Sequence, residues 1–529
     1  MKENVLYLRQ NVQIEPLFNQ WYVCLPMIAP ALAPMLIANS HVKIMESYIA
    51  LPDMHATLSK DPEMIGAPYI NYEYNRVEEI SDLLNKTKVE QTHMLEFALA
   101  VKQLDGILKQ KAKGFSLESL YLEVPEILRG YVELVYDLNN NASIRFIEGL
   151  LYKSKYFDCR SQSIGLSLIE KDDRPFVLST PRLEADNYLQ LKIPFNSEVI
   201  DYLCSMRDER KPLDEIKEIV GLDSTNNGLF LSFLTSEVKQ QSQNYSGEKI
   251  RVKYFGHACL LIESDNISIL TDPNISYQYK CTIPRYTYAD LPNKIDYVLI
   301  THGHLDHIVL ETLLQIRYKI KNVIVPKSGS GSYADPSLKM LLFHLGFKNV
   351  FEVDELESVP LIRGCITSMP FMGEHHDLNI KAKAAYLLQM DGKNIYIAAD
   401  STNLEPKLYD YIHQVYGDIN VLFIGMECNG APLSWFYGHL LTSKLDRDMD
   451  YSRLGSSSDY QRAISIVEKL KCKSAYIYAM GLEPWLTYIL SINYNNDSIQ
   501  IKESDRFIME CNKRGILAQR LFAKNEIFV

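Results

Sequence analysis

The run Thr301-His-Gly-His-Leu-Asp-His307 constrains this chain more than any other feature. The four residues before it, Tyr297-Val-Leu-Ile300, are wholly apolar and read as a buried strand, so the polar run begins where that strand ends. Histidine is scarce, 12 residues in all, yet three fall within these six positions. In a tight turn after a strand, the HxHxDH spacing lets His302 and His304 converge on one cation while Asp306 and His307 turn toward a second. Imidazole nitrogens and carboxylate oxygens together suit transition-metal ions. The run therefore reads as one half of a two-metal site, and the fold must hold its strand end rigidly.

The surrounding sequence supplies such a scaffold. Residues 250–255 and 258–263 read as strands around a Gly256-His257 turn, and 267–270 run into Thr271-Asp-Pro273. Residues 322–325 and 394–398 are further strands, with helical stretches between them, which indicates layered α/β architecture. The polar, glycine-containing stretch 239–248 has nothing to bury and reads as a linker. Before it, 76–138 shows helical periodicity, with Leu95, Leu99, Leu104 and Leu108 close to one face. Shorter β-like runs such as 176–178 and 189–193 follow, then more helix. The expectation is an α+β N-terminal domain at 1–245 followed by an α/β domain at 246–529.

Composition narrows the function. The formal net charge is -11, with a sequence pI near 5.6, which argues against a nucleic-acid partner, since backbone affinity comes from clustered Lys and Arg. Residues 21–38 are almost purely apolar, but Pro26, Pro30 and Pro34 would strip hydrogen bonds from any helix there. A buried, irregular core segment is expected, and no membrane partner. The nine cysteines are dispersed without a CxxC pair, and the opening Met1-Lys-Glu-Asn-Val lacks a signal-peptide layout, so a cytoplasmic location is expected.

With the Gly256-His257 turn and Thr271-Asp-Pro273 preceding it, the histidine run resembles the metallo-β-lactamase superfamily over about 250–529. That resemblance implies an αββα sandwich with a dinuclear metal centre at one edge. Asp272 is then either a carboxylate orienting a ligating histidine or a turn residue before Pro273. The next ligand falls in Met372-Gly-Glu-His-His-Asp377, where zinc hydrolases of the superfamily usually supply histidine. Here Glu374, His375 and His376 are adjacent and leave the register open. Asp400, closing Ile395-Tyr-Ile-Ala-Ala-Asp400, fits the bridging carboxylate. The last ligand is a downstream histidine, and after His413 the sequence offers His439 alone.

The choice of metal turns on Glu374. Hard, anionic carboxylates suit iron in its higher oxidation states, whereas neutral imidazole suits zinc equally well. Two ferric ions sharing an oxide carry more formal charge than two zinc ions sharing a hydroxide, so a third carboxylate balances the iron pair better. The whole chain also resembles the di-iron aminoacyl β-hydroxylases of nonribosomal peptide biosynthesis, of the chloramphenicol-pathway type. The likeness includes total length, a large N-terminal domain, and a glutamate in Gly373-Glu-His-His376 where hydrolases carry histidine. It extends to Trp21-Tyr22, Ile37-Ala-Asn39, Ile44-Met-Glu-Ser-Tyr-Ile49 and the ending Gly515-Ile-Leu-Ala-Gln-Arg-Leu521.

This resemblance implies two iron ions, oxide-bridged when ferric, with O2 as co-substrate and an external electron donor. It assigns His302, His304 and Glu374 to one iron, Asp306, His307 and His439 to the other, and Asp400 to the bridge, with Glu374 and Asp400 nearest the chemistry. The implied reaction is hydroxylation of the β-carbon of an amino acid held as a thioester on a carrier domain of a nonribosomal peptide synthetase. No flavin-binding GxGxxG unit or cysteine cluster for an iron–sulfur centre is visible, so a separate reductase is expected. By analogy the N-terminal domain serves homodimerisation and carrier docking. The alternative is a zinc-dependent hydrolase, a lactonase or thioesterase, with His375 or His376 replacing Glu374 as ligand.

Overall fold

Strand alternation in the C-terminal half explains its layering. In Cys259–Ser264, Leu260 and Ile262 face one apolar cluster while Cys259 and Leu261 face another, and all four are buried. A strand buried on both faces needs cover on both. In this computed structural model, which describes residues 5–222, 227–237, 244–265, 267–329 and 331–529, that cover is a second sheet on one side and helices on the other. The first seven-stranded sheet runs Val350–Val353, Ile320–Pro326, Ile295–Leu299, Ile267–Thr271, Cys259–Ser264, Arg251–Gly256, Asn525–Phe528. Its first four strands are parallel and the others pair antiparallel.

The second sheet has the order Ser358–Leu361, Gly364–Met369, Ala385–Met390, Lys393–Ile397, Val421–Gly425, Ser474–Tyr478, Leu517–Arg520. Between the sheets, Val252, Tyr254, Ile269 and Leu299 meet Tyr386, Leu388, Ile397 and Phe423. Helices Pro406–Tyr416, Tyr460–Lys469 and Ile499–Lys513 cover the outer face of the second sheet with Tyr409, Ile466 and Phe507. Leu310–Ile316 and Leu338–His344 lie on the outer face of the first. The result is the expected αββα sandwich.

The N-terminal half closes over that first outer face. Its four-stranded sheet (Trp21–Tyr22, Val12–Phe18, Gln162–Leu168, Leu189–Leu191) and helix Thr92–Lys111 share one continuous apolar core with Leu270, Val298, Leu313 and Val323. A buried ion network fastens the halves. Glu15 lies 2.7 Å from Arg174 and 2.9 Å from Arg182, and Arg174 reaches on to Glu311 at 2.8 Å. Burial pushes the Glu15 carboxyl up, but Arg182 and Arg174 more than offset this and hold it at about 2.

Several local expectations change. Residues 21–38 are buried and broken, as the prolines require, into short helices Leu25–Ile28 and Ala33–Leu36 that lead into a π-helical turn, Ile37–His41. Residues 76–138 are α-helical only as Val77–Glu90 and Thr92–Lys111, with short 3-10 turns at Glu118–Glu123 and Glu126–Leu128; beyond them, Val132–Tyr136 pairs with Ala142–Phe146 around an Asn-rich turn. Leu99 is 57% exposed, because the buried stripe is Met94, Phe97, Ala98, Val101, Leu104 and Leu108. Residues 176–178 form no strand; the Val177 N–H donates to the Tyr488 carbonyl across a loop (2.9 Å). Residues 239–243 of the expected linker lie outside the described residues. No helix among the described residues is long and apolar enough to cross a membrane.

Candidate metal centre

Parallel strands end on the same edge of a sheet, and the polar residues that follow them gather there. Asp272 follows Ile267–Thr271, and the histidine run follows its neighbour Ile295–Leu299. The Thr301 N–H and Oγ1–H donate to Asp272 Oδ1 and Oδ2 at 2.8 and 2.6 Å. Asp272 Oδ2 also accepts from His307 Nδ1–H at 2.8 Å. With Nδ1 occupied, the lone pair of His307 Nε2 faces the site, 2.9 Å from Asp400 Oδ2. Asp272 thus orients His307, besides preceding Pro273.

His302 Nδ1 lies 3.0 Å from Thr301 Oγ1, which leaves its buried Nε2 without a partner. His304 turns Nδ1 toward Glu374 Oε1 at 3.0 Å. Three sets of ligand atoms result, each within 4.8 Å: His302, His304, Glu374 and His375; His257, Asp306 and His307; His302, His307 and Asp400. Of the three adjacent residues in the open register, Glu374 and His375 face the centre. His376 is turned aside, its Nδ1–H donating to the Arg453 carbonyl at 2.6 Å while Arg453 Nε–H donates to the His376 carbonyl at 2.8 Å.

His439 joins none of these sets. Its turn, Gly438–Leu440, packs on the π-helical turn Ile37–His41, where Asn39 Nδ2–H donates to the His439 carbonyl at 2.7 Å and the ring is buried near His41. The histidine that lies beside Asp306 and His307 is His257, whose Nε2 is 2.9 Å from Asp306 Oδ2.

The chemistry of the donors fits metal ions. His302 Nε2, Glu374 Oε2, His375 Nε2 and Asp400 Oδ1 are buried without hydrogen-bond partners, an arrangement that costs free energy unless cations satisfy them. Burial and the neighbouring histidines hold His302 and His375 well below the ordinary imidazole range, in the neutral form that binds metal. Burial raises Asp306, but His307 and His257 more than reverse this and keep it ionised. Several non-glycine residues here adopt left-handed backbone: His257, Asp272, Glu374, His376 and Ala399, with φ between 34° and 66°. Such strain concentrates at functional sites. The Phe436 ring stacks on His304 at 4.5 Å and Phe371 packs edge-on to His302, which screens the centre from water.

Residues 7–238 match the family model of the diiron non-heme β-hydroxylase N-terminal domain, and 251–425 that of a β-lactamase superfamily domain. The chain is 35% identical to the 4-amino-L-phenylalanyl-[CmlP-peptidyl-carrier-protein] 3-hydroxylase of Streptomyces venezuelae, over 98% of this chain and 99% of that one. The chain belongs to the di-iron β-hydroxylase family. Its structure superposes on the crystal structure of CmlA, a diiron β-hydroxylase from Streptomyces venezuelae, with a TM-score of 0.93, 33% identity and full coverage of both chains. A CmlA variant with a glutamate-to-aspartate change superposes at 0.91, also at 33% identity, over 99% of this chain and all of that one. This hydroxylase is therefore an oxidoreductase of two iron ions, and the zinc-hydrolase alternative is the less supported.

Three groups near the centre of the hydroxylase escaped sequence reasoning. His257 was visible as a strand-Gly-His turn but carried no ligand spacing. Tyr437, whose hydroxyl lies 3.0 Å from His375 Nδ1, and Glu427, after strand Val421–Gly425, belong to no motif. Burial, then the charges of Asp400, Asp306 and Glu374, push the Glu427 carboxyl up to about 8.

Proposed function

We propose that this hydroxylase inserts one oxygen atom of O2 at the β-carbon of an amino acid tethered as a thioester to a carrier domain of a nonribosomal peptide synthetase. The observation that carries the reading is Glu374, set against His304 in a chain whose full length aligns with a carrier-protein 3-hydroxylase. His302, His304 and Glu374 would hold one iron and Asp306, His307 and His257 the other, with Asp400, grouped with His302 and His307, a further carboxylate for the centre. When bound, the two irons supply the activation of O2 that C–H hydroxylation requires.

The remaining work falls to the chain itself. Asp272 fixes the tautomer of His307, Thr301 braces Asp272, and Phe371 and Phe436 exclude water from the ligand atoms. Residues 246–529 form the catalytic domain, and residues 1–245 dock the carrier domain and the second copy of a homodimer. A separate reductase delivers electrons. The nine free cysteines suit a cytoplasmic enzyme.

The test is intact-mass measurement of candidate aminoacyl carrier proteins after incubation with iron-loaded enzyme, reductant and O2. A gain of one oxygen atom, retained as a β-hydroxyl, is expected on one of them. Iron-loaded enzyme that consumes reductant yet leaves every loaded carrier unchanged would overturn the substrate assignment.

A further inference from the structure

Glu374 is carried by a backbone that does not hold itself. The His375 N–H donates to the Gly373 carbonyl at 3.0 Å, closing a γ-turn around Glu374, whose φ is 66°. A γ-turn of this left-handed kind is rare and strained. His376 and Asp377 follow at φ 54° and 58°, so the strain continues past the carboxylate. Non-glycine backbone of this kind persists only where surrounding groups fix it. Contacts from outside the turn must therefore decide where Glu374 stands.

Lys383 supplies such a contact. Its Nζ–H donates at 3.0 Å to the Gly373 carbonyl, the same oxygen that closes the turn. A charged donor makes this bond stronger than a neutral one. The main chain of Lys383 is bridged to His302, and the next N–H, that of Ala384, donates to the Thr301 carbonyl at 2.8 Å. Asp335 fixes the approach by accepting the Lys381 and Ala382 N–H groups at 2.9 and 3.0 Å. The Lys383 ammonium also stands 5.6 Å from the centre of the Phe371 ring, which packs edge-on to His302. Beyond Glu374, Arg453 Nε–H holds the His376 carbonyl at 2.8 Å, so the carboxylate hangs between two carbonyls that cations hold.

We infer that Lys383 is a positioning residue for the metal centre, fixing Glu374 relative to His302 before any ion enters. Its main chain is tied to one of these residues and its side chain to the turn that carries the other, and both offer ligand atoms to the same set. A single residue thereby spans two ligands that lie 72 positions apart in sequence. Lys383 touches no ligand atom of Glu374 in this role; it acts through the backbone that carries the carboxylate. The inference rests on the reading of the site as the di-iron centre and adds to it what holds the distinctive glutamate in place.

The test uses the full-length chain in two states, metal-free and loaded with iron. Lys383→Met keeps an apolar stem beside Phe371 and removes the donor. In the metal-free protein its amide exchange across 372–377 is expected to quicken about tenfold, because the turn loses its outside hold. After iron loading, its affinity for one of the two ions is expected to fall about 10- to 100-fold, with a shifted near-ultraviolet and visible spectrum. Lys383→Arg restores a charged donor and is expected to recover slow exchange, both irons and the parent spectrum. Exchange in Lys383→Met equal to the parent's, or faster exchange with iron affinity and spectrum untouched, would overturn the proposal, as would an arginine variant no better than the methionine one. A parent protein that takes up no iron would defeat the di-iron reading instead, while the metal-free exchange still tests the hold on the turn. Should Lys383→Met fail to fold, the metal-free parent decides: protected His375 and His376 amides support a turn set before metal binding, and freely exchanging ones refute it.

Discussion

His41 stacks on Trp21 with ring centroids 3.9 Å apart and planes 3° from parallel, in a pocket it shares with His439. Burial, with His439 nearby, lowers His41 to about 3, and burial lowers His439 to about 4. In the unfolded chain both titrate near pH 6.5. As pH falls below that value the unfolded state takes up protons that the folded state refuses, so stability present at neutral pH is lost down to the folded values. His41→Phe keeps the stack and removes one titrating group. Its stability loss between pH 7 and pH 5 is expected to be smaller by about 2 kcal/mol, read from Tm or urea midpoints; matching pH profiles for parent and variant would contradict it. Ligand identity gives a second prediction at this scale. Glu374→Ala is expected to lose or weaken one iron, and His376→Ala to keep both, because His376 spends Nδ1 on the Arg453 carbonyl; metal analysis checks this, and iron lost only from His376→Ala would move the register. The clustering of the HxHxDH side chains was legible because their spacing is local and a strand end fixes their geometry. His257 was not, since its place beside Asp306 depends on a left-handed turn and on sheet neighbours that no local spacing encodes.

The segment from Leu433–Tyr437 through Gly438–Leu440 carries Phe436 and Tyr437 onto the metal centre, and the N-terminal half holds it there. Trp435 Nε1–H donates to the Gly66 carbonyl at 3.2 Å, Asn39 Nδ2–H to the His439 carbonyl at 2.7 Å, and Thr442 Oγ1–H to Asp105 Oδ2 at 2.6 Å. Lys102 in turn holds Asn39 through its Oδ1. The π-helical turn that presents Asn39 is a rare conformation, met most often at functional sites. Asn39→Ala leaves the His439 carbonyl without its donor, a loss of about 1–3 kcal/mol felt locally. Amide exchange across 433–440 is expected to quicken about fivefold or more, with the iron count unchanged. Unaltered exchange in that segment would show that other contacts hold it. Elements of this kind were the least legible: the sheet strands announce themselves by apolar runs, but a five-residue helix and a π-turn exist only through the tertiary contacts that satisfy their backbone. Residues 176–178 show the converse, a short apolar run whose burial comes from a loop contact with Tyr488 and not from a sheet.

Across the whole molecule, the halves of the sequence share one apolar core on the outer face of the first sheet, and the Glu15–Arg174–Glu311 network crosses the junction with its charges buried. The change of texture near 239–248 was legible as a boundary in composition, but a polar stretch says nothing about how much apolar surface each side leaves for the other. Glu15, in the middle of a strand buried along its whole length, was equally mute, because its partners lie more than 150 residues away. Removing one partner of a buried ion network strands the others without compensation, at a cost of about 3–5 kcal/mol. Glu15→Ala is therefore expected to lower the global stability by that order. Because the core is continuous, the N-terminal sheet and the αββα sandwich should melt together, and iron release should coincide with the loss of far-ultraviolet circular dichroism. A variant in which the spectrum fell in two steps, with iron retained through the first, would show that the sandwich stands without its N-terminal cover.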